Sequence, residues 1–205
     1  GVPVMRDETL VPGDEAALAA LNLRYPLAVK VLSADIAHKT DVGGVALNIA
    51  NRDELRVAIA TVTDNARRAQ PQARIEGVIA SEMVTGAFEV IVGVVNDDVF
   101  GPVVALGMGG ILAEALHDVT HRVAPFDRDE AHRMIGELRA SRIFGGVRGR
   151  PPSDVDALAD VLVRVSQLAW QERGRIAEID INPLMVQPKG LGVVAADALV
   201  VLREG

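Results

Sequence analysis

A lysine stands in the middle of an otherwise apolar segment near the N-terminus. Residues 27–32 read Leu-Ala-Val-Lys-Val-Leu, which is typical of a β-strand, and Lys30 is the single charged residue among them. A lysine at such a position either points to solvent or binds an anion. The polar residues that follow it along the chain favour the anion.

A polar loop with two consecutive glycines begins eight residues after Lys30. It reads His38-Lys-Thr-Asp-Val-Gly-Gly-Val45 and supplies a second lysine and a hydroxyl group. Glycine lets backbone N–H groups approach a phosphate closely, and consecutive amides form anion-binding nests. Because Gly-Gly pairs are also common in hairpin turns, the pair alone does not identify a phosphate site. The residues of this loop that we expect to contact phosphate are Lys39, Thr40, Gly43 and Gly44.

Oxygen-bearing side chains recur near the C-terminus. In a strand over residues 178–186, Glu178, Asp180 and Asn182 lie on one face because side chains alternate. Fifteen residues after Asn182, Asp197 interrupts the apolar run 193–200. Such a set suits Mg²⁺, which prefers oxygen ligands and keeps waters and phosphates as further ligands. The alternative is an edge-strand acid and a capping asparagine.

Several other polar residues have an ordinary interpretation as well as a functional one. Glu82 and Glu89 are either solvated strand acids or ligands. Arg122 is either a further cation near phosphate or a surface residue. The histidines at 117, 121 and 132 lack ligand-like spacing to carboxylates, so we interpret them as surface or cap residues.

Composition excludes several classes of protein. Acidic residues outnumber basic ones 28 to 21, giving a net charge of −7, and no dense Lys/Arg run is present, so nucleic-acid binding is not expected. The absence of cysteine excludes disulfides and thiolate metal sites. No apolar stretch is long enough to span a membrane and no signal peptide is recognisable, so we expect a cytoplasmic protein. Because the chain begins with Gly1, we expect it to be part of a longer protein.

The rest of the sequence predicts the elements that position these residues. Strands are expected at 27–32, 44–49, 75–83, 88–95, 102–106, 178–186 and 193–200, where Val and Ile are frequent. Helices are expected at 15–21 and after the capping residues Asn51, Asp127 and Ser153, where apolar residues recur every three or four positions. Since the strands are joined mostly as hairpins, an α+β fold is expected, divided into subdomains 1–84 and 85–205.

Five motifs taken together resemble the ATP-grasp domain of NDP-forming acyl-CoA synthetases. They begin at Tyr25, His38, Gly107, Gly145 and Glu178, and read Tyr-Pro-Leu-Ala-Val-Lys-Val, His-Lys-Thr-Asp-Val-Gly-Gly-Val, Gly-Met-Gly-Gly, Gly-Gly-Val-Arg-Gly-Arg-Pro-Pro and Glu-Ile-Asp-Ile-Asn-Pro. The resemblance covers the whole chain in order. It is to the β subunit or C-terminal region of ADP-forming acetyl-CoA synthetase, a relative of the succinyl-CoA synthetase β subunit.

This resemblance implies an ATP-grasp fold, with two subdomains of mostly antiparallel sheets and packed helices around a nucleotide cleft. It implies ATP or ADP and Mg²⁺ as cofactors. Lys30 resembles the strand lysine that contacts phosphate, and Glu89 the acid near the ribose. The remaining implied residues are the adenine-reading hinge of Glu82, Met83 and Val84, and the Mg²⁺ ligands Asn182 and Asp197.

His38 is similar to a loop histidine that carries a phosphoryl group between a distant phosphohistidine and ADP in this family. The resemblance therefore implies an acid–thiol ligase that works with CoA-binding and ligase domains or an α subunit. The alternatives are a histidine that merely lines the site, a non-catalytic nucleotide- or acyl-CoA-sensing domain of a fused protein acetyltransferase, and another ATP-grasp carboxylate ligase. The last is disfavoured because it gives no reason for the His-Lys-Thr-Asp loop.

Overall fold

The computed structural model describes residues 1–36, 38–110, 118–146 and 149–203. These residues form two compact units, one of Met5–Met83 and one of Gly1–Val4 with Val84–Gly205. We call them the N-terminal unit and the C-terminal unit. Each has its own sheet and its own buried core.

The N-terminal unit is a four-stranded antiparallel sheet with helices on one face. Its strands are β1 (Asp7–Leu10), β2 (Leu27–Leu32), β3 (Val45–Ile49) and β4 (Gly77–Glu82), in the order β1-β4-β2-β3. Its helices are α1 (Glu15–Ala20) and α2 (Arg52–Ala69). Leu27, Val29 and Val31 of β2 are fully buried in cores that also include residues of α2.

Helix α2 begins where the sequence predicts it. The Asn51 side chain accepts a hydrogen bond from the Glu54 N–H at 3.0 Å, and the Glu54 carboxylate accepts one from the Ala50 N–H at 2.8 Å. This reciprocal arrangement is a capping box, which satisfies N–H groups that the first turn leaves without partners. The buried residues of α2 recur every three or four positions and form one apolar stripe.

Among its described residues, the C-terminal unit has a six-stranded antiparallel sheet and two α-helices. Its strands are β5 (Phe88–Asp97), β6 (Gly101–Met108), β7 (Val119–Val123), β8 (Ile176–Val186), β9 (Val193–Ala195) and β10 (Ala198–Leu202). The order is β10-β8-β5-β6-β7, and β9 also pairs with β8. The helices are α3 (Arg128–Gly136) and α4 (Val155–Gln171), and a short 3₁₀ helix spans Ser141–Gly145.

Two predictions about elements differ from the structure, and two strands were not predicted. The predicted strand 193–200 is interrupted at Ala196–Asp197 and forms two strands, β9 and β10. The predicted cap Ser153 is wrong, because the Asp154 side chain caps α4. Strands β1 and β7 were not predicted. Both are short and polar, with sequences Asp-Glu-Thr-Leu and Val-Thr-His-Arg-Val, so neither has the continuous Val/Ile run of the other strands. The antiparallel α+β architecture itself is confirmed.

Candidate functional site

Strand β2 holds Lys30 on the face of the sheet that points away from α2. Its neighbours Val29 and Val31 are fully buried, whereas Lys30 is half-buried, as alternation along a strand requires. Lys30 lies in register with Val45 on β3 and with Ile79 on β4. The lysine is therefore held by a central strand, with a paired strand on either side.

The loop from His38 to Gly44 is fastened to the elements around it. The Gly44 carbonyl accepts a hydrogen bond from the Val31 N–H at 2.8 Å, and the Gly43 carbonyl accepts one from the Asn65 side chain at 3.0 Å. His38 and Thr40 remain exposed, and Lys39 is half-buried. The loop thus presents an imidazole, an ammonium and a hydroxyl on a fixed backbone.

The two glycines of this loop shape it from within. The Gly43 N–H donates to the Thr40 carbonyl at 3.0 Å, and the Gly44 N–H donates to the Lys39 carbonyl at 2.8 Å. A Cβ at Gly44 would stand 2.6 Å from Val31 Cγ1, which is too close for any other residue. Both amides therefore have partners inside the loop, which differs from the open nest of amides that the sequence predicts.

Glu82 and Met83, two of the three residues expected to read adenine, contact three other segments of the N-terminal unit. The Met83 N–H donates to the Pro26 carbonyl at 2.9 Å, and Met83 Sδ accepts a hydrogen bond from the Asn48 N–H at 3.1 Å. The Glu82 carboxylate accepts hydrogen bonds from the Arg24 N–H at 3.0 Å and from the Arg24 guanidinium at 3.1 and 3.2 Å. Arg6 lies 3.8 Å from the same carboxylate. Val84 follows as the first residue of the second segment of the C-terminal unit.

These contacts favour the ionised form of the Glu82 carboxylate. The hydrogen bond from the Arg24 backbone N–H, together with the two guanidinium groups, holds the pKa of Glu82 below its usual value, against the opposing effect of burial. The Glu82 carboxylate is therefore engaged by arginines. Neither Arg24 nor Arg6 lies near Glu82 in the chain, so no local sequence pattern indicates these contacts.

Glu89 lies at the start of β5 and is exposed. Gly109 and Gly110, which follow β6, pack against Glu89. The Gly109 N–H donates to the Glu89 carbonyl at 2.8 Å, and a Cβ at Gly110 would stand 3.1 Å from Glu89 Oε2. The close approach explains why this turn requires glycine. Residues 111–117, which include His117, lie outside the described residues.

Asn182 and Asp197 are neighbours in the C-terminal unit. The Asn182 N–H donates to the Asp197 carbonyl at 3.1 Å, and the Ala196 N–H donates to the Pro183 carbonyl at 2.9 Å. Between Val90 and Val92 the register of β5 with β8 shifts, with Leu184 and Ile181 as the respective partners, so β8 carries an extra residue at Asn182–Pro183. Bulges of this kind re-aim side chains and are frequent beside functional sites.

The donor set of this pair fits Mg²⁺. Asn182 is exposed, Asp197 is half-buried, and both carry oxygen ligands of the kind that Mg²⁺ takes together with waters and phosphate oxygens. Asp197 Oδ1 also accepts a hydrogen bond from the Ala198 N–H at 3.0 Å, which orients the carboxylate. Among the described residues no group of three or more His, Asp or Glu side chains is arranged to hold a metal ion. A Mg²⁺ ion bound by these two side chains would take most of its coordination shell from other ligands such as water.

Arg122 belongs to an ion-pair network on the surface of the C-terminal unit. Its guanidinium contacts the carboxylates of Glu130 and Glu137, the latter at 2.7 Å. These contacts raise the pKa of Arg122 further, with the hydrogen bond to Glu137 as the main cause. Of the two interpretations left open by the sequence, the structure favours a surface residue that forms ion pairs with its neighbours. His132 Nε2 lies 3.4 Å from Asp156, and His121 is exposed.

Within the described ranges, no helix combines the length and the apolar character needed to cross a lipid bilayer.

The chain matches the model of one protein family and several characterised enzymes. The family is described as an ATP-grasp domain and matches residues 1–202. The chain is 46% identical over 191 residues to acetate–CoA ligase (ADP-forming) I of Archaeoglobus fulgidus, covering 93% of this chain and 27% of that protein. It is 42% identical over 202 residues to acetate–CoA ligase (ADP-forming) I subunit beta of Pyrococcus furiosus, covering 98% of this chain and 86% of that subunit. The chain thus spans about a quarter of the single-chain ligase.

Solved structures of a further relative have the same fold. One is the dinucleotide-forming acetyl-coenzyme A synthetase 1 of Ca. Korarchaeum cryptofilum with coenzyme A and Ca-AMPCP, at a TM-score of 0.89 and 35% identity, covering 99% of this chain and 87% of that one. Another structure of that enzyme holds coenzyme A and Mg-AMPPCP, with its phosphohistidine segment pointing towards the nucleotide site, at a TM-score of 0.78 and 32% identity over 99% and 86% of the two chains. From its sequence and its fold, this chain belongs to the ATP-grasp family, and its homologues are ADP-forming acetate–CoA ligases.

Proposed function

We propose that this chain is the nucleotide-binding domain of an ADP-forming acyl-CoA synthetase. In this proposal it transfers a phosphoryl group between a phosphohistidine of its partner and ADP. The partner is the CoA-binding and ligase part of the same synthetase, as an α subunit or as further domains. The observation that carries the proposal is the backbone hydrogen bond from the Asn182 N–H to the Asp197 carbonyl. It brings together two residues fifteen positions apart, as a shared pair of oxygen ligands would require.

In the N-terminal unit, the proposed phosphate contacts are Lys30, Lys39 and Thr40, with Gly43 and Gly44 giving the loop its shape. The backbone of Glu82, Met83 and Val84 would read the adenine, and Glu89 would bind the ribose. Lys30 is half-buried on a central strand, so its ammonium is held in place before a ligand arrives.

Asn182 and Asp197 are the proposed ligands of Mg²⁺, which would neutralise charge on the phosphate oxygens during transfer. The bond from the Ala198 N–H to Asp197 Oδ1 holds that carboxylate in one orientation. Asn182 adds a neutral oxygen ligand, so the protein contributes a single negative charge through this pair.

His38 is the proposed carrier of the phosphoryl group. A neutral imidazole nitrogen of His38 attacks the phosphorus of the partner's phosphohistidine, so one N–P bond forms as the other breaks and the partner's histidine leaves. A terminal phosphate oxygen of ADP then attacks phospho-His38, which releases the imidazole and gives ATP. Because His38 is exposed on a loop fixed at Gly43 and Gly44, its imidazole is accessible to both reactants.

Calorimetry with Mg·ADP tests the binding part of the proposal. Substituting Lys30→Gln or Asp197→Asn is expected to weaken ADP binding by about tenfold or more, because each removes a charge-assisted contact worth about 1.5–3 kcal/mol. The control Asp129→Asn makes the same change at an exposed position of α3 and is expected to leave the affinity unchanged. Equal affinity in Lys30→Gln and the unsubstituted chain would refute the binding site.

Labelling with [γ-³²P]ATP and Mg²⁺ tests the transfer step in the chain alone. Run in reverse, the reaction should place an acid-labile, base-stable phosphoryl group on the chain, and added ADP should remove it as ATP. His38→Ala should abolish the label and keep ADP affinity, whereas His132→Ala should keep both. A label that persists in His38→Ala would remove His38 from the mechanism while leaving the nucleotide site intact.

A further inference from the structure

A cavity lies in the C-terminal unit, and none of its lining residues belongs to the proposed nucleotide contacts. It has a volume of about 540 Å³ and is formed by α3, the 3₁₀ helix, the start of α4 and the turn at Lys189. This volume lies within the range of about 300–1,000 Å³ that is usual for small-molecule sites. Ile135, Phe144 and Val155 give the cavity an apolar lining.

Hydrogen bonds hold the walls of this cavity together. The buried Asp154 carboxylate accepts from the N–H groups of Gly190 at 2.8 Å, Gly192 at 3.0 Å and Ala157 at 3.2 Å. The Lys189 N–H donates to the Pro152 carbonyl at 2.8 Å, and the Ser153 N–H donates to the Phe144 carbonyl at 2.8 Å. The cavity is therefore formed before any ligand binds, which lowers the entropic cost of binding.

The charged groups around the cavity are unbalanced. Arg142 and Lys189 line it, and within the described residues neither side chain lies within 4.0 Å of a carboxylate. The lining carboxylate Asp156 is already paired with Arg128 at 3.2 Å, and His132 lies 3.4 Å from it. Two cations that have no carboxylate within 4.0 Å therefore lie beside an apolar lining, with the buried Asp154 carboxylate farther from Lys189, in a chain whose net charge is −7.

We propose that this cavity binds a phosphate monoester that carries an apolar group. Arg142 and Lys189 would bind the phosphate, because guanidinium and ammonium groups form strong charge-assisted hydrogen bonds with it. The apolar group would pack against Ile135, Phe144 and Val155. A monoester carries about two negative charges above its second pKa of about 6, which matches the two cations.

Phenyl phosphate is a suitable probe, because it combines the two halves of the proposed ligand. Titration of the isotope-labelled chain at pH 8, followed by amide NMR, is expected to give saturable shifts at Gly145, Ser153 and Lys189. Inorganic phosphate lacks the apolar group, and phenol lacks the phosphate. Each is expected to bind about tenfold more weakly than phenyl phosphate, a loss of about 1.4 kcal/mol. Shifts confined to residues 30–44 would place the probe in the nucleotide site and contradict the proposal.

Three variants separate charge from shape. Arg142→Gln with Lys189→Gln should weaken phenyl phosphate binding by about tenfold or more. Gly136→Leu should also weaken it without a change in charge, because a side chain there grows into open space at the cavity. The control Arg139→Gln removes a charge three residues from Arg142 and outside the lining, and should bind as the unsubstituted chain does. Equal loss in Arg139→Gln and the double variant would overturn the proposal, as would full binding in Gly136→Leu.

Discussion

Glu82 joins two segments that are far apart in the sequence. Its carboxylate accepts hydrogen bonds from the N–H and the guanidinium of Arg24, 58 residues away, and lies close to Arg6. The Glu82 side chain is only 15% exposed, whereas that of Arg24 is 87% exposed, so water screens the guanidinium far more than the carboxylate. The backbone N–H contact is the more robust part of the interaction, because it does not require the exposed Arg24 side chain to be ordered.

The low pKa of Glu82 makes stability depend on pH in a defined direction. Because the pKa is lowered in the folded state, the ionised carboxylate stabilises the fold above the unfolded value of about 4.3, and this contribution is lost as pH falls through the folded value. Glu82→Gln is therefore expected to lower the free energy of unfolding by about 1 kcal/mol at pH 7. Urea unfolding across pH 3–8 should show this difference shrinking at the acidic end.

The matched control for Glu82 is Glu76→Gln. Glu76 is exposed, just before β4, and no described residue donates a hydrogen bond to its side chain. Its substitution should leave the free energy of unfolding within about 0.5 kcal/mol of the unsubstituted chain. A pH-independent difference between Glu82→Gln and the unsubstituted chain would show that the carboxylate is not stabilised in its charged form.

At the scale of elements, Asp154 connects the start of α4 to the turn between β8 and β9. Its Oδ1 caps the helix at Ala157, and its Oδ2 accepts from both Gly190 and Gly192. Burial raises the pKa of Asp154, but the three backbone N–H groups, with Lys189 nearby, outweigh it and lower the pKa overall. An asparagine here can satisfy the helix or the turn, but its NH₂ group would face N–H donors at the other.

We therefore expect Asp154→Asn to lower the free energy of unfolding by about 1–3 kcal/mol, as for a buried group left without its partner. Asp127→Asn is the control, because Asp127 caps α3 through one N–H, that of Glu130 at 2.9 Å, and is exposed. Asparagine caps helices as well as aspartate, so this control should cost only a few tenths of a kcal/mol. Equal losses in the two variants, measured by urea unfolding, would mean that the glycine contacts contribute nothing.

Local patterns in the sequence predicted the elements whose cause is local. The capping residues Asn51 and Asp127 begin α2 and α3, and the alternation around Asn182 correctly separates the buried Ile179 and Ile181 from the polar face. The contacts of Glu82 with Arg24 could not be predicted, because they depend on the pairing of distant segments. The engagement of the Gly43 and Gly44 amides by the turn was not predicted for a different reason: a Gly-Gly pair is compatible with both an open amide nest and a closed turn.

At the scale of the whole molecule, each unit has a separate hydrophobic core. Leu55 of α2 is fully buried in the core of the N-terminal unit, and Leu158 of α4 is fully buried in that of the C-terminal unit. None of the buried clusters among the described residues includes residues of both units. Local opening of one core therefore does not require the other core to lose its own packing.

This separation predicts the outcome of a matched pair of substitutions. Leu55→Ala and Leu158→Ala each remove the same side chain from a fully buried helical site, so each should cost about 2–5 kcal/mol in its own unit. Native-state hydrogen exchange should show faster exchange of slow amides within residues 5–83 for Leu55→Ala, and within residues 84–203 for Leu158→Ala. If either substitution accelerated both sets equally, the two cores would unfold as one cooperative unit, since exchange through global unfolding reports the same free energy everywhere.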